Sequence, residues 1–245
     1  MLESIEMYFL LFMTYAILGW CMEVICKFVE LKRFINRGFL IGPYCPIYGW
    51  GALIITLLLK DYSSDLAALF VFCIIICSIL EYLTSYILEK VFHARWWDYS
   101  NRKFNINGRI CLNTMIPFGI LGVIIIYIIN PFLLKVYNMI GSNYIHIISI
   151  ILLVIFLIDN IISTNILFKI RGDIKVLDKD YTEELARKVK ERIMGYSWIY
   201  KRVFDAFPNV KHIKGLIREV IYKQKELIKE EKKKLKEMKK GLKKW

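Results

Sequence analysis

Residues 36–51 read NRGFLIGPYCPIYGWG. From Gly38 to Leu59 the chain carries no charged residue, and a run of that length is able to span a bilayer. Gly42-Pro43 and Pro46 interrupt it near its start. Proline lacks the N–H that a helix uses, and it pushes the residue before it out of the helical region. Irregular backbone at membrane depth persists only where protein covers it or water fills a cavity. The stretch therefore reads as a loop over residues 38–48 dipping into the membrane edge, then a helix over about residues 47–59. The functional reading of the loop is the floor or mouth of a binding cavity. The structural reading is a tight turn, packed by aromatics, that joins two helices.

The rest of the chain sets this stretch in a membrane protein. Of the 245 residues, 57% are hydrophobic, and they cluster in blocks instead of alternating. Mean hydropathy is +0.44. The net charge of +13 is unevenly distributed. Residues 1–168 hold 11 Lys/Arg and 10 Asp/Glu, whereas residues 169–245 hold 24 and 12. Two physical objects follow: a hydrophobic body and a basic tail. The six cysteines all lie in or beside apolar segments without a CxxC pair, so neither disulfides nor a metal site is expected. No Lys or Arg precedes the first apolar block, which a secretory signal would require; it reads as a spanning helix.

Five spans are expected, over about residues 5–26, 38–59, 66–88, 110–130 and 144–168, with the fourth ended by Asn130-Pro131. Basic residues vote on orientation. Residues 27–37 carry Lys27, Lys32, Arg33 and Arg37, and residues 90–109 carry Lys90, Arg95, Arg102, Lys103 and Arg109. The opposite side has only Lys60 and Lys135. Cytoplasmic loops are enriched in Lys and Arg, which places the N-terminus outside and the C-terminus in the cytoplasm. The fold class is all-α: a polytopic membrane domain of about five transmembrane helices (residues 1–170) with a basic cytoplasmic helical tail (residues 171–245). A faint internal echo accompanies it. Asn36-Arg37-Gly38 is followed by Pro46-Ile47-Tyr48-Gly49, and Asn107-Gly108-Arg109 by Pro117-Phe118-Gly119. Gly/Pro-interrupted spans at matching places in two halves point to substrate sites in transporters.

Three carboxylates lie within spans: Glu23, Glu81 and Asp159. An acid at mid-helix costs about 2.5–3.5 kcal/mol on insertion scales and usually faces the bundle interior. Ser78, Glu81, Ser85 and Glu89 fall at helical spacing on one stripe, as do Asp159 and Ser163, while Gly19 and Glu23 share a face below Tyr15. If the stripes converge with Tyr44 and Tyr48 of the loop, they form a cytoplasm-facing site for a cation, a proton or a polar substrate. Otherwise the acids pair with Arg37, Arg95 or Arg109 and hold the helices in register.

The second candidate is residues 93–113, HARWWDYSNRKFNINGRICLN. It interleaves Arg95, Arg102 and Arg109 with Trp96, Trp97, Tyr99 and Asp98. Arginine binds phosphate or carboxylate bidentately, which suits an anionic headgroup. The plainer reading is Trp at the membrane interface plus an Asp98–Arg ion pair. Histidines 93, 146 and 212 are too dispersed for a metal, and no Walker-type ATP motif occurs. No cofactor is expected. In the tail, Leu185, Val189 and Ile193 form a helical stripe, and Ile221, Ile228, Leu235 and Leu242 repeat every seven residues. A basic amphipathic helix of this kind binds anionic lipid or a partner helix. Nucleic acid is not an expected partner, because no recognition motif accompanies the charge.

Gly19-Trp20 with Glu23, the run NRGFLIGPYCPIYG at residues 36–49, Glu81 and Glu89, and RWWDYS followed by FNINGRICL within residues 95–112 resemble a bacterial membrane family. It is the family called putative ABC-transporter type IV, or CmpB-like. The resemblance covers roughly residues 5–170. It implies a permease component in the plasma membrane that works with a separate ATPase subunit, and it assigns no catalytic residues. The first functional expectation is therefore a transport-related membrane protein that uses a partner ATPase or an ion gradient. The second is an intramembrane enzyme or binder for a lipid-linked anionic group. The third is a scaffold that recruits a partner through its tail.

Overall fold

The computed structural model describes residues 2–179 apart from Phe39, His93 and Ala94, together with Arg202. The readings of the tail helices beyond residue 179 lie outside the described residues. Helix α1 spans Leu2–Leu31, α2 Pro46–Leu58, α3 Leu66–Phe92, α4 Leu112–Ile124, α5 Asn130–Met139 and α6 Ser142–Lys179. Four segments are long and apolar enough to cross a membrane: Ile5–Leu31, Leu66–Phe92, Leu112–Met139 and Ser142–Lys169. Their outer faces are apolar. On α3, Val71, Ile75, Ile79, Leu83 and Ile87 are exposed while Ser78, Glu81 and Ser85 are buried. A polar interior behind an apolar exterior is the pattern of a helix bundle in lipid.

The expected fifth span is a shorter object. Helix α2 has 13 residues, about 20 Å at 1.5 Å per residue, against a hydrocarbon core of about 30 Å. The described residues between Leu31 and Pro46 form irregular chain. The Cys45 amide donates to the Ala16 carbonyl at 2.8 Å, halfway along α1. Pro43 sits in a tight turn in which the Tyr44 amide returns to the Gly42 carbonyl at 2.9 Å. Pro46 then opens α2 in its first turn, where a missing N–H is harmless. The loop descends one half of the bundle and α2 climbs the other half alongside α1.

Small residues allow that close approach. A Cβ on Gly49 would stand 2.5 Å from the Phe12 carbonyl oxygen of α1. The second half repeats the device: α4 lies on α3 through Gly119 and Gly122, whose absent Cβ atoms would meet Ile74 and Cys73 at 2.6 and 2.4 Å. The halves share more than this. Each long helix carries, in its C-terminal part, a glutamate paired with an arginine from the loop that follows, Glu23 with Arg37 and Glu89 with Arg109. Each returning helix has a cysteine at its N-cap, Cys45 and Cys111.

Asn130-Pro131 does not end the fourth span as expected. A five-residue π turn, Ile125–Ile129, leads straight into α5. The wider turn absorbs the proline ring and its missing N–H, so the helix continues to Met139. Tyr15 donates to Asn130 Oδ1 at 2.6 Å, Asn130 donates to Thr56 at 2.8 Å, and Thr14 meets Tyr137 at 2.6 Å. This polar knot ties α5 to α1 and α2. In the loop between α3 and α4, strands β1 (Asn105–Ile106) and β2 (Ile110–Cys111) pair antiparallel. Residues 107–109 join them; Asn107 and Gly108 both have positive φ, 53° and 67°, in a turn that the Arg109 amide closes on the Ile106 carbonyl at 3.0 Å.

Candidate functional site

The predicted acids fall into two polar clusters and one ion-pair network. The first cluster is built by α6 against the loop. Asp159 is 8% exposed and accepts the amides of Ile41 at 3.0 Å and Gly42 at 2.7 Å. It also accepts the Tyr44 hydroxyl at 2.5 Å and the Ser163 hydroxyl at 2.7 Å. A carboxylate has about four acceptor positions, and donors occupy all of them. The Gly-Pro turn prevents a helix, which leaves two loop amides without helical partners; Asp159 supplies the partner. Arg202 donates to the Leu40 carbonyl in the same loop and is attracted by the Asp159 charge.

The second cluster lies between the two halves. Tyr48 crosses α1 at Gly19, where a Cβ would sit 2.3 Å from its ring, and donates to Glu23 Oε1 at 2.6 Å. Arg37 reaches the other Glu23 oxygen at 3.3 Å. Across the interface Glu81, 5% exposed, faces Tyr99 and Thr114, each hydroxyl 3.3 Å from one of its oxygens. Glu23 opposes a negative charge on Glu81, and a charge on either acid reaches Tyr99. Burial above all pushes the Tyr99 phenol well up, so Tyr99 stays a donor. Of the residues predicted to converge, Glu23, Tyr48 and Glu81 gather here, whereas Tyr44 and Asp159 form the loop latch.

The arginine-rich loop forms the ion-pair network. Arg109 lies 2.8 Å from Glu89 and 3.3 Å from Ser85, with its guanidinium over the rings of Tyr82 and Tyr86. Arg95 lies 3.4 Å from Glu89 and 3.3 Å from Asp98, the ion pair expected from the sequence. The Ser100 hydroxyl and amide hold the Asp98 carboxyl below its usual range. Trp97 donates to the Arg109 carbonyl at 2.9 Å. Trp96 is buried, edge-on to Phe92, so it packs the loop and does not anchor at an interface. Arg102 is exposed. Of the three acids expected to pair with these arginines or Arg37, Glu23 alone does so among the described residues.

From the sequence Tyr99 reads only as one of the aromatics interleaved with the loop arginines, and Thr114 does not stand out in its span. Nothing local distinguishes a tyrosine that will turn inward, and only the paired halves place Tyr99 over Glu81. Among the described residues no group of three or more His, Cys, Asp or Glu side chains could hold a metal ion.

No match was found among curated proteins or among solved structures. A family model matches residues 10–164, which include both clusters and both halves. The chain therefore belongs to the family described as putative ABC-transporter type IV.

Proposed function

We propose that this protein is the membrane-embedded, permease-like component of a transport system, with a cytoplasm-facing site lined by Glu23, Tyr48 and Glu81 beside the loop that Tyr44 and Asp159 latch. One observation carries the reading. A proline-marked loop reaches the level of Ala16 and ends in a helix of half the usual length. Non-helical backbone is kept at such depth where it lines a site, and discontinuous helices build substrate sites in transporters. The family description supports the transport class. The chain carries no Walker-type ATP motif, so the energy for transport comes from a separate ATPase subunit or from an ion gradient.

The test is purification of the tagged chain from native membranes at native expression, with co-purifying proteins identified. Stoichiometric recovery of an ATP-binding subunit, with ATP hydrolysis lost on Tyr44→Ala or Asp159→Asn, is the expected result. Repeated recovery without any ATP-binding protein removes the ATP-driven permease reading. Recovery instead with a tightly held anionic lipid favours the headgroup-binding reading. That reading would rest on exposed Arg102, because Arg95 and Arg109 would have to leave Glu89.

A further inference from the structure

We propose that Glu81 is a proton-binding site: its carboxyl carries a hydrogen in the folded protein and exchanges it through the polar interface between the two halves. Its use as the coupling ion rests on the transport reading above, whereas the presence of the hydrogen does not.

The argument is a count of hydrogens. Thr114 Oγ1 lies 2.9 Å from the Cys111 carbonyl and 3.3 Å from Glu81 Oε2. A hydroxyl has one hydrogen, and the shorter contact, which closes the first turn of α4, takes it. The remaining contact, between Thr114 Oγ1 and Glu81 Oε2, is then oxygen against oxygen with no hydrogen from threonine. A hydrogen on Glu81 supplies it, and Thr114 accepts. Tyr99 donates to the other carboxyl oxygen at 3.3 Å, which a protonated acid accommodates equally well.

The other acids show what a charged carboxylate receives in this fold. Asp159 takes four donors, Glu23 has Arg37 and Tyr48, and Glu89 has Arg95 and Arg109. Glu81 is as buried as Asp159, yet it has two hydroxyls and no Lys, Arg or His within ion-pair distance among the described residues. A buried charge so poorly compensated is costly, and such a group takes up a proton instead. A second observation points into the same place. Ser78 Oγ, one turn before Glu81 on the same buried stripe, is 6% exposed and has no hydrogen-bond partner among the described residues. It offers an oxygen where a proton enters or leaves.

The groups acting on Glu81 come from every side. Glu23 on α1 repels a negative charge there. Cys77 on α3 and Tyr99 of the loop both feel its charge, and Tyr99 in turn feels Cys111. None is cationic, so nothing among these groups competes with the proton for the carboxyl.

The experiment is infrared spectroscopy of the purified full chain in detergent. Wild type minus Glu81→Gln is expected to show the C=O stretch of one protonated carboxylic acid at about pH 7, shifting on transfer to heavy water. The glutamine variant, whose amide mimics the protonated acid, is expected to keep wild-type thermal stability. Absence of the band, or a Glu81→Gln protein that unfolds readily while wild type shows no such band, overturns the proposal. If Glu81→Gln cannot be purified, Thr114→Val keeps the acid and removes its acceptor, so the band is expected to move; an unmoved band overturns it too. The band tests the proton and co-purification tests transport, so the two ideas fail separately.

Discussion

Asp159 Oδ2 accepts the amide hydrogen of Gly42 at 2.7 Å, joining α6 to a loop 117 residues earlier in the chain. The bond explains how an irregular segment survives beside lipid. A loop amide with no helical partner costs several kcal/mol in hydrocarbon. One carboxylate answers two such amides and a buried phenol. The loop's path is thus set as much by α6 as by its own prolines.

Asp159→Asn is expected to loosen the loop. The amide keeps one oxygen but turns two N–H groups towards a site built of donors, leaving at least one loop amide unsatisfied. The cost is about 2–3 kcal/mol, read by thermal unfolding in detergent. Cys45, 7% exposed at the end of the loop, is expected to become reactive to thiol reagents. Unchanged stability with Cys45 still protected would show that Asp159 is not the latch.

Two glycines one turn-fraction apart on α2 are expected to behave oppositely. Gly49→Ala places a methyl 2.5 Å from the Phe12 carbonyl oxygen, and backbone cannot step aside as a flexible side chain can. Separating α1 from α2 costs about 1–3 kcal/mol. Gly51→Ala meets only Leu80 at 3.5 Å, an ordinary contact, and gains about 0.5–1 kcal/mol of helix preference. Paired unfolding curves decide it; equal losses for both would mean that α1 and α2 are not held by this contact.

The loop was legible because Gly42, Pro43 and Pro46 forbid a helix in an otherwise apolar run, and the structure starts α2 at Pro46, one residue before the expected start. The acids were legible because a charge inside an apolar block stands out. Their division of roles was not. Asp159 and Glu81 look alike in sequence, each on a serine-bearing stripe, and differ only in what the fold brings to them. The continuation through Pro131 was hidden because a π turn has no local signature beyond the proline it accommodates. The knot of Tyr15, Asn130 and Thr56 was missed for a similar reason: each is unremarkable until three helices meet.

Breaking the Glu89–Arg109 pair from one side is expected to cost more than removing both. Arg109→Gln leaves Glu89 with Arg95 alone and vacates the space over Tyr82 and Tyr86. Glu89 is 34% exposed and Arg109 11%, so the loss is about 2–3 kcal/mol, below that for a fully buried pair. Glu89→Gln with Arg109→Gln is expected to recover part of it. A double-mutant cycle with no coupling would mean that the ring contacts, not the charge, hold Arg109.

The orientation expected from where the basic residues fall can be checked at two exposed positions. Ser63 lies between α2 and α3, and Arg102 lies in the loop between α3 and α4. Lys60 is the one basic residue between α2 and α3, whereas Arg95, Arg102, Lys103 and Arg109 follow α3. With Cys21 and Cys26 replaced by serine, a membrane-impermeant maleimide on intact cells is expected to label Ser63→Cys. It should reach Arg102→Cys only after permeabilisation. The buried Cys45, Cys73 and Cys111 stay silent in both. Labelling of Arg102→Cys from outside would put four basic side chains on the face that topogenesis keeps poor in them. It would also turn the mouth beside Glu23 and Glu81 away from the cytoplasm, and with it any ATPase that the protein could engage.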